Sequence, residues 1–242
     1  MRIYDPAREQ VTLRALQGTE TDIELMVDVP NKDLRSLNDL VAARNWVRNN
    51  IQNYPRVKLR YIAVRNEVDP NNNATRDYGD LVLPAMQNVH EAIVDAGLAN
   101  QIKVSTATYT GLLDKSYPPS AGDFRANVPG FIEPIITFLV QNNSVMLANI
   151  YPYFVAHGNM NVSRPYALFQ PDAPRVNDGG LMYSNLFDAM LDAHYAALGQ
   201  TPLGGRNLKI VVSESGWPSD GNSLATLGNA GIYYRNLIAH VK

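Results

Sequence analysis

The sequence predicts an α/β fold, a TIM-type (β/α)8 barrel that is here incomplete, with about six strands and the first and last βα units absent. Three observations predict it. Short β-rich runs alternate with longer amphipathic segments, and the runs are almost continuously apolar, as strands of a parallel sheet covered on both faces must be. Two of the runs end in a glutamate, Glu67 and Glu214. A charge at the carboxyl end of a buried parallel strand needs a reason, and in a barrel that end is where a site opens.

Taken in order, the strand candidates are 2–4, 23–29, 59–66, 102–108, 145–151 and 208–213. Amphipathic segments separate them. A first helix is expected from Asp5 as N-cap and Pro6 as first helical residue to Gly18. A second, 39–52, places Leu40, Ala43, Trp46 and Val47 on one face; a third, 80–96, repeats Leu83, Met86, Val89 and Ile93 before Gly97, a C-cap. Others are read over 131–141, 183–198 and 225–241. The rival architecture is an open doubly wound sheet, whose Gly-rich phosphate turn is missing because Gly204 and Gly205 precede a strand instead of following one.

Composition narrows the partners. A chain of 242 residues that is 45% hydrophobic can bury one full core, so a single domain over 1–242 is expected, and it is read as a monomer. A net charge of −2 gives no electrostatic reason for nucleic acid or a membrane surface as partner, and suits a neutral substrate. Met1 opens on a strand candidate and not on a signal peptide. Without cysteine there is no disulfide framework and no thiolate chemistry, and the histidines His90, His157, His194 and His240 form no metal-binding pair, so neither cofactor nor metal is expected. Asn73, Asn142 and Asn161 head N-x-S/T patterns, which an Asn-rich chain also produces by chance.

Two carboxylates suffice to cleave a glycosidic bond. One protonates the leaving oxygen, and the other attacks or activates water. At the carboxyl ends of two strands of one barrel, Glu67 and Glu214 are within reach both of the about 5 to 5.5 Å of a retaining enzyme and of the about 6.5 to 9.5 Å of an inverting one. The expected separation is the retaining one if the family likeness described below holds. Asn66 can serve a sugar hydroxyl, Trp217 offers a flat face to a pyranose, and Asn149, Tyr151, Tyr153 and Phe154 gather at another strand end. Each has a plainer reading: a rim glutamate can cap a helix or pair with arginine, and an isolated Trp can simply pack.

Four stretches carry a family likeness that runs from end to end. Met1 to Pro6 (MRIYDP), Asn66–Glu67, Leu147 to Phe154, and Val211 to Ser219 (VVSESGWPS), with the loop Tyr117 to Gly122, resemble a plant endo-β-1,3-glucanase of glycoside hydrolase family 17. The resemblance implies a (β/α)8 barrel and a retaining mechanism, with Glu67 as acid/base and Glu214 as nucleophile. Tyr4, Asn66, Asn149, Tyr151 and Phe154 would line the groove. The implied substrate is a β-1,3-glucan such as callose or fungal wall glucan, in a secreted or vacuolar plant-defence setting. Relatives that cut mixed β-1,3;1,4-glucan share the motifs. Because the family also carries a strand before Met1 and one after the final helix, the chain is expected to be truncated at both ends. The alternative is a non-catalytic glucan-binding fragment.

Arg65 departs from the family, which has glycine before Asn-Glu. Regular alternation puts Arg65 and Glu67 on the same side of the strand, with a cation one layer below the acid, where it favours the ionised carboxylate. The alternative readings are a bulge that redirects Arg65 or a separate carboxylate that anchors it.

Overall fold

In the computed structural model, which describes residues 1–19, 21–159, 161–202 and 205–242, six strands hydrogen-bond in the order in which they occur in the chain. They are β1 (Arg2–Ile3), β2 (Leu25–Val29), β3 (Leu59–Asn66), β4 (Lys103–Tyr109), β5 (Met146–Asn149) and β6 (Ile210–Glu214). β1 to β4 pair in parallel, with Ile3 opposite Val27, Val27 opposite Ile62 and Ile62 opposite Val104. A doubly wound sheet reverses its strand order at a switch point. The strictly sequential order found here is that of a barrel, and it excludes the rival architecture.

Contacts gather the chain into two compact units. The first comprises Met1–Thr108, Asn127–Leu147 and Pro202–Val211, and the second Tyr109–Ala126, Ala148–Thr201 and Val212–Lys242. In the first unit, one face of the sheet buries Met26, Ala63, Ala107 and Leu147, against which Tyr61, Val145 and Val211 pack. Residues of opposite parity, Val27, Ile62, Val64 and Val104, are buried as well, which is why the strands read as apolar runs. The helices of this unit are α1 (Gln10–Gln17), α2 (Leu40–Val47), α3 (Gly79–Asp95) and α4 (Pro129–Gln141).

Local sequence sets their limits. Asp39 caps α2 by accepting from the Ala42 N–H, and α3 ends in a Schellman motif. There Leu98 N donates to Ile93 O and Gly97 N to Val94 O, with Gly97 at φ +73°, a conformation that glycine adopts without steric cost. α3 buries Val82, Ala85, Met86, Val89, Ala92 and Ile93, each large apolar side chain contributing about 1.5–3 kcal/mol of transfer free energy.

The second unit holds α5 (Leu186–Gln200) and α6 (Leu227–Val241), capped by the side chains of Asn185 and Thr226. Two hairpins accompany them, Leu113–Lys115 with Asp123–Phe124 and Val176–Asp178 with Leu181–Tyr183. A Cβ on Gly122 would come within 2.1 Å of the Ala193 carbonyl oxygen, so the loop lies directly on α5 and admits no side chain there.

Three helix starts differ from expectation. α1 begins at Gln10, not at Pro6, because the Asp5 carbonyl closes a turn with the Arg8 and Glu9 amides while its carboxylate bonds Lys32. Residue 183 lies in a hairpin, and the helix waits for its cap at Asn185. The last helix likewise waits for Thr226. The hairpins carry no period long enough to register in the sequence. Gly204 lies outside the described residues, and Gly205 opens a short 3-10 turn before β6. Among the described residues no helix is long and apolar enough to cross a membrane.

Candidate active site

In the first unit the decisive feature is a bulge near the end of β3. Ala63 pairs with Ser105, but Asn66 pairs with Ala107, so three steps on β3 match two on β4. Arg65 takes φ +73° and Glu67 φ +54°. The extra residue resets the alternation, bringing Asn66 into register with Ala107 of the buried inner cluster. The expectation that Arg65 lies one layer below Glu67 is therefore corrected. Its guanidinium instead lies 4.2 Å from the ring of Tyr78, just ahead of α3. No carboxylate anchors it among the described residues, its Nε has no partner, and at 3% exposure burial pushes its pKa down.

This conformation is costly for an L-residue, by roughly 1–2 kcal/mol, while an exposed-to-buried range of about 0.5–2 kcal/mol brackets the Tyr78 contact. An unpartnered buried donor costs about 1–3 kcal/mol more. Arg65→Gly is therefore expected to stabilise the fold by about 1 kcal/mol, a rise of roughly 2–4 °C in Tm, whereas Arg65→Ala keeps the strained φ and gains less. Thermal unfolding of both variants checks this; a fall in Tm for glycine below that for alanine would show that the Tyr78 contact outweighs the strain.

Asn66 is held from beneath. Arg2 donates from Nε to Asp28 Oδ1 at 2.8 Å and from Nη2 to Asp28 Oδ2 at 2.6 Å, and Nη2 also reaches Asn66 Oδ1 at 3.1 Å. Both members of the ion pair are buried, so removing either strands a charge in a low-dielectric setting at about 3–5 kcal/mol. The Arg2 guanidinium also sits 4.8 Å from the ring of Tyr4, which is 54% exposed. Glu67 follows directly, half-buried, its backbone N–H bonded to Ala107 O at 2.8 Å.

In the second unit Glu214 ends β6, and its Oε2 accepts from the Tyr151 hydroxyl at 2.8 Å. The backbone holds the two segments together: Ile150 N donates to Glu214 O at 2.9 Å, and Ser215 Oγ donates to Ile150 O at 2.7 Å. Ser215 also bonds the hydroxyl of Tyr233, a phenol that burial pushes up to about 12 and so keeps protonated. A Cβ on Gly216 would meet Tyr234 Oη at 2.9 Å and Tyr151 Cε1 at 3.3 Å, so glycine is what lets the Tyr151 ring lie beside the strand end. Phe154, 64% exposed, meets Tyr151 edge-on at 5.6 Å.

Two residues expected to touch a sugar do not face solvent. Trp217 is 3% exposed, packs edge-on to Tyr153 and tilted to Tyr233, and donates Nε1–H to Leu224 O at 2.8 Å. Asn149 is 1% exposed, its Oδ1 accepting from Ser213 Oγ at 2.7 Å.

The glycosyl hydrolases family 17 signature matches residues 1–242. The chain belongs to glycosyl hydrolase family 17. Relatives in family 17 include the glucan endo-1,3-beta-glucosidase of Vitis vinifera, 58% identical over 100% of this chain and 69% of its own length. Glucan endo-1,3-beta-glucosidase A of Solanum lycopersicum is 52% identical, with the same coverage. Among solved structures, a β-1,3-glucanase and allergen of Cryptomeria japonica pollen superposes with a TM-score of 0.93 at 42% identity, over 100% of this chain and 73% of that one. One from a study of two plant β-glucan endohydrolases with distinct substrate specificities gives 0.90 at 43%, over 100% and 75%. The fold is thus the family 17 barrel, of which this chain supplies six parallel strands.

Sequence reasoning passed over Arg2, Asp28, Ser215 and Tyr233. A signal for Asp28 existed: a lone carboxylate inside the buried run Leu25–Val29 must meet a cation, and Arg2 lies on the neighbouring strand. Tyr233 shows no such signal, because a buried tyrosine on a helix looks like core.

Proposed function

We propose that this chain hydrolyses internal β-1,3-glucosidic bonds in β-1,3-glucans by a retaining double displacement. Glu214 attacks the anomeric carbon as the bond to the leaving oxygen breaks, and Glu67 gives that oxygen its proton. Glu67 then takes a proton from water, which attacks the same carbon and releases Glu214. Tyr4, Asn66, Tyr151 and Phe154 contact the glucan, while Asn149 and Trp217 hold the strand ends from behind.

The observation that carries the reading is the Tyr151 hydroxyl on Glu214 Oε2. A donor fixed to one oxygen of a carboxylate orients the other, as a nucleophile requires. The names of the Vitis and Solanum relatives support the linkage. A secreted or vacuolar location belongs to the same proposal. Release of reducing ends from a soluble β-1,3-glucan, with the newly formed ends in the β configuration by NMR, tests it. Preference for a mixed β-1,3;1,4-glucan would move the linkage, α-configured ends would overturn retention, and binding without release would leave a glucan-binding protein.

A further inference from the structure

A hollow of about 340 Å3 in the first unit is lined by Tyr4, Asp5, Asp28, Asn31, Lys32 and Asn66, among others. Arg2 is not among its lining residues, yet it hydrogen-bonds two of them, Asp28 and Asn66, and lies over the ring of a third, Tyr4. We propose that Arg2, clamped by Asp28, is a positioning residue that sets the hydrogen-bonding sense of the Asn66 amide toward bound glucan. This rests on the glucan hydrolase reading above.

The argument begins with the ambiguity of an amide. Its two ends have the same shape and opposite chemistry, and only a neighbour of fixed polarity decides which end faces where. Arginine has no acceptor. Nη2 at 3.1 Å therefore compels Oδ1 to face Arg2, and turns the two-donor Nδ2 end away from it. That arrangement holds only if the guanidinium itself cannot turn. Asp28 ensures this through two charge-assisted bonds at 2.8 and 2.6 Å, a fork that fixes the guanidinium plane. The same plane supports the ring of Tyr4 at 4.8 Å, so one buried group sets both a hydrogen-bond donor and an aromatic platform of the hollow. Lysine could keep the charge but not the fork. The competing account is that Arg2 and Asp28 merely neutralise each other inside the sheet.

The test is Arg2→Lys, read first by NMR of side-chain amides. In the parent, saturating laminaribiose is expected to slow water exchange of the two Asn66 Nδ2 protons, and in Arg2→Lys that protection is expected to fall by about tenfold or more, with the pair shifted because Oδ1 has lost its fixed donor. An unchanged Asn66 pair overturns the proposal, whether or not the chain cleaves glucan. The second readout is hydrolysis of soluble β-1,3-glucan. Arg2→Lys should lower kcat/KM by roughly 10- to 100-fold, the scale of a charge-assisted hydrogen bond, but by less than about threefold when Asn66 is already alanine. Equal losses in the two backgrounds overturn the proposal and leave a structural pair. If Arg2→Lys loses its folded spectrum, Asp28→Asn replaces it, since it keeps the volume while removing one acceptor of the fork; the same Asn66 protons then decide. A folded parent that releases no sugar sinks the hydrolase reading alone, because the amide readout does not depend on turnover.

Discussion

Glu214→Ala is expected to abolish glucan hydrolysis, by roughly 10^5-fold or more, and sodium azide is expected to restore cleavage of an activated aryl β-laminaribioside. The scale is that of removing the nucleophile from a covalent mechanism. Alanine leaves room where the carboxylate stood, and a small anion entering there attacks the anomeric carbon from the same side as Glu214 did. One displacement then occurs instead of two, so the product is the α-glycosyl azide. Because Tyr151 and Ser215 remain tied to the backbone around Ile150, the strand end keeps its shape and the loss is chemical. An α-azide identifies Glu214 as nucleophile; a β-azide from this variant, or residual hydrolysis within tenfold of the parent, reassigns it.

Glu67→Ala should behave in the opposite sense. Without a proton donor, cleavage of the natural polymer is expected to fall by about 10²- to 10⁴-fold, since its leaving group is a poor one. An aryl laminaribioside with an acidic phenol needs no proton to depart, so its first step survives and the covalent intermediate accumulates. Azide then attacks that intermediate and gives the β-glycosyl azide, with configuration retained through two inversions. Rapid-mix kinetics with product NMR reads both halves. Equal losses on polymer and aryl substrate, with no azide product, would mean that Glu67 supports the strand end without transferring a proton.

The strands were legible because burial on both faces leaves a nearly continuous apolar trace, and all six lie where that trace falls. Glu67 and Glu214 stood out as the carboxylates that end two of the runs. What composition cannot convey is phase. Arg65 was assigned a side by counting alternate residues, and one extra residue between Ala63 and Asn66 makes that count fail. Trp217 was equally opaque for another reason: an indole that covers a strand end and one that covers a sugar have the same residue type and neighbours in sequence, and its 3% exposure is a property of the fold alone. Asn149 is buried as well, its amide oxygen accepting from the Ser213 hydroxyl, a bond that residue type alone does not announce.

The bulge in β3 also separates two inheritances carried by one strand. Residues up to Ala63 answer to the packing of the sheet, where a slip of one position would exchange inside for outside. Beyond it, Asn66 and Glu67 are counted from a new origin. A change in the length or bulk of the strand's lower half can then be absorbed at Val64 and Arg65 before it reaches Asn66 and Glu67. The barrel body and the rim beyond the bulge are in this sense free to drift at different rates, and the presence of a large, strained residue such as Arg65 at the joint marks where that slack is kept.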